Sequence, residues 1–226
     1  MKLHFLGTGA ADWDAANKDD KEFRFFSSTL IDDELLVDPG PHIFMSAEKF
    51  GIDFSNIKYV INTHAHEDHF CKESLDKLIE NGAEFIDFTV GEEKCFGDYK
   101  VKAYKANHAT CEGSKHYIIE KAGKRLFYGL DSAWLLYDEV AGIKENGGVD
   151  AAVLDATIGN VEGDHRIFEH NNLEMIKIIK SFMKLYIKKF IISHMARTLH
   201  DDHAVLASQM EKEDITVAYD NFVIEI

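Results

Sequence analysis

The sequence predicts an α/β fold in four layers, an αββα sandwich, formed by one domain over residues 1–226. Three observations carry this expectation. Short β-branched or aromatic runs bounded by Asp, Gly or Asn dominate the first half, as strands do. Helical periodicity alternates with apolar strands in the second half. That order recurs across both halves, so two sheets would each carry helices on an outer face. With 226 residues, 46% of them apolar, the chain can bury a substantial core. Pro39 and Pro41 are the only prolines, and neither a Gly/Ser-rich linker nor a fixed-period repeat divides the sequence.

Taken in order, the strands expected first are Lys2–Leu6, Ser28–Ile31, Glu34–Val37 and Lys58–Asn62, then Lys100–Ala103, Tyr117–Glu120 and Arg125–Tyr128. Helices are expected at His42–Lys49, Glu73–Asn81, Ala133–Glu145, Leu173–Leu185 and His203–Glu213. Ala151–Asp155 and Lys189–Ser193 read as apolar strands between the later helices. Thr216–Tyr219 and Phe222–Glu225 close the chain, separated by the turn signal Asp220-Asn221.

Composition excludes several classes. A net charge of −15 sets the chain against general affinity for a phosphate backbone, although bound dications can reverse the potential of one site. A small anionic substrate therefore stays open. No apolar run reaches the ~20 residues of a membrane-spanning helix. His4, Gly7 and Gly9 interrupt the start too early for a signal-peptide core, so the expected location is cytoplasmic. Cys71, Cys95 and Cys111 have no paired spacing and read as reduced thiols. A homodimer is compatible with the sequence, but no helix declares one.

The decisive segment follows the strand at residues 59–61: Thr63-His64-Ala65-His66-Glu67-Asp68-His69. In extended backbone His64 and His66 point to one side and can share an ion. Asp68 and His69, past the turn, can reach a second. Nitrogen and oxygen donors suit zinc, and also manganese or iron.

His64-x-His66-x-Asp68-His69 resembles the H-x-H-x-D-H signature of the metallo-β-lactamase superfamily, whose fold is the sandwich expected above. Gly7-Thr8-Gly9-Ala10 is similar to the family's opening turn, and Leu36-Val37-Asp38-Pro39-Gly40 to its D-x-G strand end. The resemblance implies two divalent metal ions. His64, His66 and His108 would bind the first, Asp68, His69 and His194 the second, with Asp131 between them. Asp38 would orient a ligand. Two such ions lower the pKa of a water between them, which makes a hydrolase.

Glu169-His170-Asn171-Asn172-Leu173 is similar to a segment of the phosphodiesterase branch, which includes tRNA 3′-processing endonucleases and a cyclic-phosphate phosphodiesterase. That resemblance implies a small phosphodiester or cyclic phosphate as substrate. Asp68, with the metals, would position the attacking hydroxide, and His170 would protonate the leaving oxygen. The C-terminal segment Ala218–Glu225 resembles the cyclic phosphodiesterases' terminal hairpin. Two departures stand out. The stretch from Asp12-Trp13-Asp14 to Arg24 lacks that enzyme's extra zinc cysteines, and no basic, glycine-rich arm for tRNA occurs.

After the last expected ligand, Arg197 is a candidate to hold a phosphate or carboxylate, with His200 and His203 lining the pocket. His4, His42, His116 and His165 carry no assignment, and Asp164-His165-Arg166 reads as a solvated loop. Two other readings remain. The same metals could hydrolyse a thioester, lactone or lactam, or the chain could be a non-catalytic metal-binding ligand sensor.

Overall fold

The protein, seen as a computed structural model, is described over residues 1–13, 16, 18 and 20–226. Asp14, within the stretch read as lacking zinc cysteines, lies outside the described residues. Alternation along the strands decides what packs where, because successive side chains leave a strand on opposite faces. In β1 (Lys2–Gly7), Leu3 and Phe5 face one side and Leu6 the other; in β3 (Leu35–Val37), Leu35 and Val37 oppose Leu36. The first set packs against the second sheet and the other set against helices.

Among the described residues, one sheet has six strands. In spatial order these are β13 (Phe222–Glu225), β1, β2 (Ser28–Ile31), β3, β4 (Tyr59–Ile61) and β5 (Glu84–Phe85). The other has seven: β12 (Thr216–Val217), β11 (Ile187–Ser193), β10 (Val149–Asp155), β9 (Lys124–Gly129), β8 (Lys115–Lys121), β7 (Tyr99–Lys105) and β6 (Glu93–Phe96). Between the sheets lies a core in which Leu3, Phe5, Val37 and Ile61 meet Val101, Tyr117, Tyr128, Val153 and Ile191. Helices α1 (Ile43–Phe50) and α2 (Lys72–Glu80) cover the six-stranded sheet through Ile43, Leu75 and Leu78. Helices α3 (Tyr137–Lys144), α4 (Leu173–Met183) and α5 (His203–Glu211) cover the seven-stranded sheet through Ile143, Ile176, Ile179 and Leu206. The four-layer αββα arrangement is therefore present. No helix among the described residues is long and apolar enough to cross a membrane.

Three local expectations need correction. β5 and β6 are strands beyond those expected: β5 has two residues, and β6 is an edge strand of mixed polarity. Helix α3 starts at Tyr137 rather than Ala133, because Trp134 has a left-handed φ of 61° and Leu136 is extended, with the Glu139 carboxylate accepting the Leu136 N–H. The closing strands do not form a hairpin. β12 runs parallel to β11, and β13 pairs antiparallel with β1 in the other sheet. Residues 218–221 thus cross between sheets.

Asp220 anchors that crossing. Its carboxylate accepts the Thr8 hydroxyl at 2.8 Å and the Phe25 N–H at 2.6 Å. Burial raises its pKa to about 6, against the opposing pull of the Phe25 N–H, Arg24 and Thr8. The unfolded chain releases this proton near pH ~4, whereas the folded chain keeps it until about 6. This group's stabilisation is therefore full below pH ~4, declines as pH rises, and is lost above about 6, a change of about 2–3 kcal/mol. Asp220→Asn is expected to flatten the fall in Tm between pH 4.5 and 7 relative to wild type; an identical slope would contradict the buried proton.

Candidate metal centre

Strands β9, β10 and β11 run parallel, as do β3 and β4, so their carboxyl ends gather at one edge. Chain reversal there leaves backbone groups and polar side chains facing a common crevice. Asp38 follows β3, His64 follows β4, Asp131 follows β9, and His194 follows β11. Asp38, Asp131 and His194 hold left-handed φ values of 64°, 54° and 63°. Non-glycine residues adopt that region at a cost, and it persists where surrounding structure over-determines it.

Three overlapping groups of donors result among the described residues. His64, His66, His108 and Asp131 form one, Asp68, His69, Asp131 and His194 a second, and Asp131, Asp155, His170 and His194 a third, each with donor atoms within 4.8 Å of one another. Asp131 belongs to all three, and the first two are the sets expected from the sequence. His66 Nδ1 lies 3.1 Å from His64 Nε2 and 3.1 Å from His108 Nε2; His69 Nε2 lies 3.1 Å from His194 Nε2. Asp131 Oδ2 is 2.9 Å from His64 Nε2, and its Oδ1 is 2.9 Å from His194 Nε2 outside hydrogen-bonding alignment.

The far nitrogens are held from behind. His69 Nδ1 lies 2.8 Å from Asp38, which also accepts the Thr63 N–H at 2.7 Å. His194 Nδ1 lies 2.7 Å from the Thr157 hydroxyl, and His64 Nδ1 3.0 Å from that of Thr63. A ring nitrogen that donates backwards leaves the opposite nitrogen as a lone pair. Imidazole lone pairs converging at such distances repel unless a cation lies among them, so the donor set fits divalent metals.

Charge gives the same answer. Burial pushes Asp131 upward, yet His194 and His69 outweigh it and hold its carboxyl well below the ordinary range. Asp68 is likewise held at about 2, with His69 and His194 overcoming burial. Burial disfavours charge on His69 and His194, but both are raised well above the usual value, Asp131 leading the carboxylates responsible. Buried carboxylates here demand positive charge, which bound dications also supply. Burial holds His108 down to about 4, a neutral ring suited to ligation.

Residues 24–71, which contain the D-x-G strand end and the His-rich segment, match the family model described as the metallo-beta-lactamase superfamily. The fold is the metallo-β-lactamase fold. Solved structures with this fold are similar over the whole chain, among them the following three. Zn(2+)-bound PqqB from Methylobacterium extorquens has a TM-score of 0.75 at 18% identity and covers 100% of both chains. A diphosphatase from the PhnP family has 0.72 at 19%, covering 100% of this chain and 97% of that one. The short form of human tRNase Z has 0.73 at 18%, covering 100% and 99%. No curated protein matches the sequence.

On this metallo-β-lactamase fold, His170 lines a cavity of about 260 Å³ together with His66, Asp68, His108, Asp131 and His194. It precedes the cap of α4, where the Asn172 side chain accepts the Met175 N–H, and is not itself the cap. Its Nδ1 lies 2.9 Å from Asp155 and 3.1 Å from the Thr157 hydroxyl. Burial disfavours the charged ring, but Asp155, with Asp131 behind it, raises His170 above its ordinary value.

The three substrate-binding candidates after His194 lie outside this cavity. Met195 is tied to the first loop, its N–H donating to the Thr8 carbonyl, and the chain turns away. Arg197 is exposed, with Nε on the Asp12 carbonyl at 3.3 Å. His200 lies with Nε2 2.6 Å from the Ala156 carbonyl and lines a neighbouring cavity. His203 sits 3.1 Å from the buried Arg24 guanidinium. Arg166 instead lines the metal-centre cavity, from the segment read as a solvated loop. Cys95 is exposed, and Cys71 is half-buried at the cap of α2.

Sequence reasoning also passed over a buried pair. His116 Nδ1 contacts the Glu139 carboxylate, and its Nε2 lies 2.9 Å from the Leu130 carbonyl, directly before Asp131. Burial opposes the charged ring, but Glu139 raises His116 overall. This pair pins the turn that carries Asp131. Nothing local marked it, because His116 and Glu139 belong to a strand and a helix that meet only in the folded chain.

Proposed function

We propose that this protein is a metal-dependent hydrolase that binds two divalent ions and cleaves a small phosphodiester or cyclic phosphate. The observation that carries this reading is that two donor sets share Asp131 and that His170 lines the same cavity. Zinc is the preferred metal, with manganese and iron compatible with these donors.

Bound ions would supply water activation near neutral pH and stabilise oxygens of an in-line displacement. The chain's residues contribute the rest. Asp68 and Asp131 remain ionised and balance the cationic centre. Asp155 holds His170 through Nδ1, so Nε2 is the nitrogen that hands a proton to the leaving oxygen. Arg166 lies on the cavity wall with its guanidinium held by Asp164 at 2.9 and 2.5 Å, which fixes its position there. An acidic surface suits a small substrate better than nucleic acid.

Metal content measured alongside turnover of bis(p-nitrophenyl) phosphate tests the reading. Two ions per chain with chelator-sensitive cleavage is the expected result. Two ions without cleavage would move the assignment to thioester, lactone or lactam hydrolysis. Failure to bind metal after reconstitution would overturn it.

A further inference from the structure

A second, larger cavity of about 640 Å³ adjoins the donor set. His66, Asp68 and Ala11 line both cavities, so the two join at the candidate metal centre. Their linings differ in chemistry. The smaller cavity presents Arg166, Glu169 and His170, whereas Phe26, Pro41 and Phe70 form much of the larger one's wall.

The apolar wall is built rather than incidental. The Phe26 ring stacks on His42 at 3.9 Å and 15°, and its N–H donates to His42 Nδ1 at 3.2 Å. Phe70 packs against the core beneath α1 and α2. Rigid walls of this kind need no reordering to receive a ligand. Glu67 and Glu73 also line the cavity, and Lys72 is engaged with Asp76 at 2.5 Å. A second anionic group would therefore be repelled. For scale, an apolar cavity of ~150 Å³ holds a benzene ring.

We propose that this cavity is a substrate subsite for an uncharged aryl or alkyl group. The favoured substrate then has its phosphoryl group at the donor set and one apolar substituent against Phe26, Pro41 and Phe70. This rests on the phosphodiester reading and narrows it, disfavouring polyphosphates and polynucleotides.

The test uses two probes, phenylphosphonate and methylphosphonate, titrated calorimetrically into the zinc-loaded protein. Phenylphosphonate is expected to bind at least about tenfold more tightly, as burial of roughly 60 Å² of apolar surface gives. Cys71→Trp places a bulky side chain at the cavity wall and Phe70→Ala removes part of that wall. Both should bring the ratio of dissociation constants toward one while leaving methylphosphonate binding unchanged. Equal binding of both probes by wild type, or a phenyl advantage that survives Cys71→Trp, would overturn the subsite alone. If neither probe binds and no phosphodiester is cleaved, the phosphodiester reading falls and the subsite with it.

Discussion

His170→Ala is expected to lower kcat by about 10²–10⁴-fold on a phosphodiester with an alkyl leaving group, with metal content unchanged. The leaving group decides the size of the effect. An alkoxide is strongly basic and needs a proton as the bond to phosphorus breaks. p-Nitrophenoxide departs without one, so bis(p-nitrophenyl) phosphate should lose far less. Asp155 grips His170 Nδ1 at 2.9 Å and raises its pKa against burial, which keeps the ring available as an acid. Equal losses on both substrates would assign His170 to positioning, and no loss on either would remove it from the mechanism.

Asp131→Asn is expected to reduce bound metal from two ions per chain to one or fewer, with kcat lower by on the order of 10³-fold or more. The backbone there tolerates the change. At φ 54° asparagine is among the residues that accept the left-handed region, so the circular dichroism spectrum should be preserved. What disappears is the negative charge common to both donor sets. Asp131 Oδ2 lies 2.9 Å from His64 and 3.2 Å from His69, and Oδ1 2.9 Å from His194. A variant that retained two ions and near wild-type turnover would show that Asp131 does not join the sets.

Both predictions depend on how the centre is built, which limits where the ligand residues can move. The donors sit on strand ends from both sheets, so the core between the sheets fixes their separation. The left-handed residues Asp38, Asp131 and His194 each mark a place just past a strand's end; Asp131 and His194 line the crevice, and Asp38 holds His69 from behind. His116 and Glu139 secure one of those turns through the Leu130 carbonyl.

The sequence by itself determined what is local. Alternating apolar residues specified most strands, periodicity specified the five α-helices of the described residues, and His64-x-His66-x-Asp68-His69 marked one candidate ligand segment, because its donors are neighbours along the chain. His108, Asp131 and His194 were legible only through family resemblance, and each lies far along the chain from that segment. Only the tertiary structure decided the rest. It separated β12 from β13, carried Arg197, His200 and His203 away from the cavity, and brought in Arg166 and the His116–Glu139 pair. The physical reason is that a side chain's neighbours across a crevice depend on loop direction. That direction was set here by contacts between distant residues: Met195 with Thr8, and Asp220 with Phe25. Periodicity in a sequence reports which face of an element is buried, but it does not report what the opposite wall contains.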